Sequence, residues 1–305
     1  MLSLAKALVR IMEQQKKRRG DRKDAYLVRE SDPMHRLMPY MLPGRTANEA
    51  VMNEEIDLTS INAFLEKKNA DDPEFRYTFF HVICAAMAKT IMMRPKLNRF
   101  YSANKLYQRK EISFSFVIKK KFTDDAAEAL AFVRFDPSSG VSPLEQVYTQ
   151  VKNAVYSVRK EGKKDGSTDK MEILLKLPGP ILSLAVRFLK RLEAHGHYPA
   201  SLMKDDPYYT TVFVTNLGSI RMHASYHHIA EWGTNSIFLV IGEKKPSPFY
   251  NETGFVGMRD TLSLGLTADE RIADGVYFAG SMRLMKKLLA EPELLEHPAN
   301  EQIDY

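Results

Sequence analysis

Between Tyr77 and Met93 the chain reads YTFFHVICAAMAKTIMM, apolar on nearly every side of a helical projection. A helix of that composition cannot lie on a surface with one face in water; it has to be enclosed by other elements. Pro95 cannot continue it and marks its end. The sequence therefore predicts a central core helix inside a layered domain. At 305 residues the chain is near the upper limit for one hydrophobic core, which suggests one domain with appendages.

Around that helix the periodicity alternates between strand and helix. Asn53–Ile61 reads as a strand running into a helix capped by Thr59 or Ser60 and ending near Lys68, after a stretch broken by Pro33, Pro39, Pro43 and Gly44. Glu111–Lys119 alternates with Ile112, Phe114, Phe116 and Ile118 on one face, and Leu130–Phe135 follows the polar turn Thr123–Glu128. Ser142–Arg159 returns to helical spacing with Leu144, Val147, Val151, Val155 and Val158 as its stripe. Thr210–Thr215, Ser236–Ile241 and Leu262–Thr267 are β-branched and aromatic runs of central-strand type, and Arg271–Leu289 is a turn and a helix burying Met282, Met285 and Leu289.

Strands and helices mix without strict alternation, so an α/β layered fold is expected. Residues 1–30 read as an amphipathic helix (Leu2, Leu4, Ala5, Leu8, Val9, Met12) and a basic hinge, 31–295 as the principal domain, and 296–305 as a loose acidic tail. An insertion near 165–205 follows the polar break Gly162–Asp169. Its apolar stretch from Met171 to about Leu192 suggests two short helices around Pro178-Gly179-Pro180, docked on the same or a neighbouring subunit rather than on a membrane.

Several classes are disfavoured. The single cysteine, Cys84, lies in the apolar run and reads as a core thiol. No stretch has the roughly 18 apolar residues of a spanning helix, and the start lacks the features of a signal peptide, so a cytoplasmic location is expected. The net charge of +6 is dispersed apart from Lys16-Lys17-Arg18-Arg19 and Lys119-Lys120-Lys121, which read as solvated faces rather than a nucleic-acid footprint. His227-His228, read as strand residues, would point to opposite faces, and no ligand spacing suggests a metal. Gly218, Gly242, Gly257 and Gly265 form no phosphate-cradling loop.

The segment Leu262-Ser-Leu-Gly-Leu-Thr-Ala-Asp-Glu-Arg-Ile-Ala-Asp-Gly275 resembles the signature of the 2-oxo acid dehydrogenase acyltransferase family, within the chloramphenicol acetyltransferase-like superfamily. That signature is Asp-His-Arg, two variable residues, then Asp-Gly. Asp269, Arg271, Asp274 and Gly275 match it, and Glu270 stands in the histidine position. Thr211-Val-Phe-Val-Thr-Asn-Leu-Gly-Ser219 is similar to the family's strand with Ser or Thr before Asn-Leu-Gly, and weaker similarity covers Glu55–Thr59, Phe79–Asn98 and Ile237–Glu243. Residues 1–30 are too few to form a lipoyl or subunit-binding domain, so neither is expected ahead of the similar region.

The resemblance implies a chloramphenicol acetyltransferase-like layered sandwich of a mixed sheet with helices. It also implies a homotrimer whose active site spans a subunit interface. The implied chemistry is acyl transfer between coenzyme A and a thiol, hydroxyl or amine acceptor, with no lipoyl group on this chain; the mildly basic surface would favour capture of coenzyme A phosphates. Glu270 would be general base, Thr215 would stabilise the oxyanion, and Asp274 would fix local geometry by pairing with a cation. Asn216, Gly218, Asp269, Arg271 and Gly275 would frame the site; no coenzyme-contacting residue is assigned.

A carboxylate near 4.3 is a weak base, so burial would have to raise Glu270 to about 6 or 7. The alternatives are a catalytically inactive trimeric scaffold or coenzyme A-binding protein, a Glu270 that merely pairs with Arg271, and a base supplied by His223, His227 or His228.

Overall fold

The computed structural model describes residues 18–119, 128–159 and 175–305. The expected amphipathic helix at the N-terminus, the Thr123–Glu128 turn up to 127 and the start of the insertion lie outside the described residues. The described chain runs β1 (Ala25–Leu27), α1 (Pro33–Met41), β2 (Glu49–Asp57), α2 (Thr59–Lys68), α3 (Phe79–Met93), β3 (Arg99–Ser102), β4 (Lys105–Arg109), β5 (Ile112–Lys119), β6 (Glu128–Phe135), α4 (Pro143–Arg159), α5 (Gly179–Ala194), α6 (Ala200–Met203), β7 (Val212–Asn216), β8 (Ile237–Asn251), β9 (Gly254–Asp269) and α7 (Gly275–Ala290), with short 3-10 turns between.

Two sheets form. The larger has the order β2-β9-β8-β7-β5-β6, with β5, β7 and β8 mutually parallel and the outer pairs antiparallel; the smaller is β1-β4-β3. The fold is thus the α/β mixed-sheet sandwich expected. Helix α3 is its centre: every residue from His81 to Ile91 is buried. Its Thr78 cap and His81 form a reciprocal capping box, so the apolar run starts where two of the helix's free N–H groups are satisfied. One core cluster joins α3 to the inner face of the large sheet, to α4 through Leu144, Val147 and Val151, and to α7 through Leu284, Met285 and Leu288.

Three local expectations are corrected. Residues 18–30 are no hinge: β1 pairs with β4, and Arg22 is buried, bonding Asp24 and Glu193. The tail is packed rather than loose, because the buried Lys89 donates to the carbonyls of Pro298, Ala299 and Glu301 and Ile303 joins the core. After Pro178 the described insertion holds the 16-residue helix α5 and the short α6, while the expected helix before Pro178 lies almost wholly outside the described residues. Helix α2 is capped from upstream: the Asp57 carboxylate accepts from Thr59 N–H at 2.8 Å, and Thr59 is the first helical residue. The insertion docks on its own chain through Glu193, which accepts from Arg22 Nη1 (2.9 Å) and Ser102 Oγ (3.0 Å), while Ile181, Leu184 and Phe188 stay exposed.

Strands β8 and β9 also exceed the predicted runs. They continue as a two-stranded ribbon past the edge of β2, whose last partner is Thr261, to a turn at Asn251–Gly254. No helix among the described residues is long and apolar enough to cross a membrane.

Candidate active site

Thr215 sits near the C-terminal end of β7, opposite Val240 of β8. The residues before it, Val212 to Val214, are buried, whereas Thr215 is half-buried where the strand emerges. Asn216 caps the following turn: its side chain accepts from Ser219 N–H, and its carbonyl accepts from Ser219 Oγ at 2.7 Å. Gly218 is required by close approach, since a Cβ there would collide with the Gly242 carbonyl oxygen. The Thr-Asn-Leu-Gly run therefore turns sharply off the strand end and leaves the Thr215 side chain beside a cavity.

That cavity, about 710 Å³, is walled by Phe75, Phe80, Phe116, Phe213 and Phe238 and carries the polar side chains of Thr215, His81, His227 and His228. Among the described residues nothing bonds the Thr215 hydroxyl, so it is free to donate. His227 stacks flat on Phe238, with ring centroids 3.9 Å apart, and His228 stacks against His227. These two histidines lie in a loop, not on a strand, and share one cavity, contrary to the opposite-face expectation. His223 is elsewhere, its Nε2 3.3 Å from Glu243.

His81 is a cavity residue the sequence did not single out. Its Nδ1 accepts from Thr78 N–H at 3.0 Å, which places the imidazole proton on Nε2, and burial pushes its pKa down to about 4. The only signal was its position three residues after a capping threonine.

The second motif closes β9. Asp269 and Arg271 are buried and joined by two bonds, Nε to Oδ1 at 2.8 Å and Nη2 to Oδ2 at 2.7 Å, and the guanidinium lies over the Tyr101 ring. With both neighbours turned inward, Glu270 is exposed. Arg271 is fully engaged by Asp269, so the expected Glu270–Arg271 pairing is not found. Asp274 has a task beyond its expected pairing with a cation. It caps α7 by accepting from Tyr277 N–H at 2.8 Å, its nearest cation is Lys96 at 3.9 Å, and that cap bond holds its carboxyl below the usual range. Gly275 opens α7 directly after it.

Within one chain the two motifs do not meet. Val240, beside Thr215, pairs with Gly265, and Glu270 lies five residues beyond Gly265, just past the end of β9. Strand geometry then separates Thr215 from Glu270 by roughly 16 Å along the sheet and about 10 Å across it. Among the described residues no cluster of three metal-ligating side chains occurs.

Residues 193–296, which hold both motifs, match the model of the 2-oxoacid dehydrogenases acyltransferase (catalytic domain) family. Solved structures with this fold include the cubic core of the pyruvate dehydrogenase multienzyme complex, at TM-score 0.56 and 16% identity over 87% of this chain and 93% of that one. A probable dihydrolipoamide acetyltransferase from Listeria monocytogenes 4b F2365 matches at TM-score 0.54 and 14% identity, covering 92% and 96% of the two chains. A chloramphenicol acetyltransferase matches at 0.52 and 10%, covering 88% and 98%. Among curated proteins none matches significantly in sequence. The chain therefore has the chloramphenicol acetyltransferase-like fold. Over residues 193–296 its sequence is similar to that of the 2-oxoacid dehydrogenases acyltransferase catalytic domain.

Proposed function

We propose that this protein is a coenzyme A-dependent acyltransferase acting as a homotrimer, each active site combining Thr215 of one protomer with Glu270 of the next. The observation that carries the reading is the buried Asp269–Arg271 clamp, which holds Glu270 outward at the end of β9. The cavity at Thr215 fits the thioester arm of the co-substrate: aromatic walls suit an apolar chain, and a free hydroxyl sits at its edge. At a shared site the Glu270 carboxylate, enclosed by the partner's cavity wall, takes the proton of the acceptor thiol, hydroxyl or amine. The acceptor attacks the thioester carbon while Thr215 Oγ1–H donates to the oxygen as its charge develops. Breaking the C–S bond then releases the thiol, which takes its proton from Glu270.

A second reading, a trimeric scaffold or coenzyme A-binding protein without turnover, is favoured by the exposure of Glu270 in the single chain. Purified protein with acetyl-coenzyme A and a panel of thiol, hydroxyl and amine acceptors separates the two, beside Glu270→Gln and Thr215→Ala. Turnover lost in both variants supports the transferase. Coenzyme A binding without turnover supports the scaffold. Co-expressing the two variants tests the shared site: random assembly restores about a quarter of the sites if they span protomers, and none if each lies within one chain.

A further inference from the structure

At the opposite end of β5 and β7 from Thr215 lies a second cavity, of about 380 Å³, built jointly by the body and the insertion. The body gives Asp24, Arg109, Ser113 and Tyr209; the insertion closes it with Tyr198 and Met203. Five cationic side chains line it, Lys23, Arg109, Lys110, Arg134 and Lys204, against two carboxylates, Asp24 and Glu111.

The inner end is chemically incomplete. Arg109 is 4% exposed, yet its hydrogen-bond acceptors are all neutral: the carbonyls of Tyr209 and Thr234 and the Thr234 hydroxyl. Its Nε is buried without a partner, and the Asp24 Oδ2 and Tyr209 hydroxyl on the same cavity wall are likewise buried and unbonded among the described residues. Tyr209 stacks on Tyr198, with ring centroids 4.7 Å apart. A buried cation with neutral acceptors and a free N–H costs stability unless an anion completes it. Asp24 supplies only distant compensation, since its Oδ1 is taken by Arg22 Nε at 3.0 Å.

We infer that this cavity is a binding site for a small carboxylate bearing a neighbouring hydroxyl or ammonium group, that is, an α-hydroxy or α-amino acid. The carboxylate meets Arg109 Nε–H and the Tyr209 hydroxyl, the adjacent donor meets Asp24 Oδ2, and an apolar side chain lies against Phe132 and Met203. Lys23 and Lys204 at the rim draw the anion in. The site is independent of the acyl-transfer reading, for it shares no residue with the Thr215 cavity.

Calorimetric titration of the full chain with lactate, leucine, acetate and inorganic phosphate tests this. Lactate or leucine is expected to bind saturably, acetate more weakly for want of the second group. Tyr209→Phe deletes only an unbonded hydroxyl, so it should leave the ligand-free protein folded and weaken binding about tenfold. Lys204→Glu, at the rim, should weaken binding and reduce its dependence on salt. No saturation by any probe at millimolar concentration overturns the proposal, as does binding unchanged in both variants. Phosphate binding as tightly as the organic acids would overturn the donor–acceptor pairing.

Discussion

His81 gives the chain a built-in dependence on acid. Its folded pKa is pushed to about 4 by burial, against an ordinary value near 6.5. The sign follows from linkage: a folded pKa below the unfolded one means that the unfolded chain binds the proton first, so stability is intact above about 6.5 and is lost as pH falls toward 4. Integrating from about pH 7 to about pH 5, the unfolded state gains roughly 2 kcal/mol from protonating this residue while the folded state gains almost nothing. The other seven histidines and Asp206, whose carboxyl burial pushes up, are common to wild type and variant, so the difference between the two proteins isolates His81. The informative substitution is His81→Gln, because a glutamine carbonyl can still accept the Thr78 N–H and keep the capping box. Urea unfolding at the two pH values should show the wild type losing about 2 kcal/mol more than the variant. Equal losses in both proteins would refute the burial argument.

Breaking the Asp269–Arg271 clamp should be costly. Asp269→Asn leaves Arg271 and the nearby buried Arg45 with a neutral group, and urea unfolding should register a loss of about 3–5 kcal/mol. Arg271→Met should cost less, since Arg45 still faces the remaining carboxylate; the reverse order would contradict this account. Gly218→Ala forces a methyl onto the Gly242 carbonyl, so a loss of about 1–3 kcal/mol is expected, with the turn after Thr215 displaced and any acyl transfer reduced.

What could be read from sequence divides along physical lines. Helix α3 was legible because an all-round apolar run has one outcome, and β5 because Phe114 and Phe116 alternate toward a single core. The β8–β9 ribbon was not: Pro246 and Pro248 lie in a two-stranded stretch beyond β2 where no residue of β8 is buried, so no apolar alternation is needed there. The tail was misjudged because its anchor, Lys89, lies over 200 residues away and bonds backbone carbonyls, which leave no sequence signature. The motif residues were found, yet the pairing with a cation was assigned to Asp274 and not to Asp269. Only coordinates show that the carboxylate before Glu270 holds the buried cation while the later one caps a helix.

The separation of Thr215 from Glu270 bears on assembly. Each lies at a different end of one sheet, and among the described residues each presents an unengaged group: a hydroxyl beside a cavity, and a carboxylate held outward by a buried pair. Two unlike surfaces can be joined only heterologously, the Thr215 end of one copy against the Glu270 end of the next. A two-fold dimer would bring each surface against its own copy unless both ends lay in the same interface, which a spacing of roughly 19 Å along and across the strands makes difficult to arrange around one axis. A closed ring satisfies the geometry for every protomer at once and leaves no half-site over. Under the proposed function, then, oligomerisation is the step that assembles the catalytic pair, and dissociation to monomers should abolish turnover while leaving the Asp269–Arg271 clamp and the fold intact.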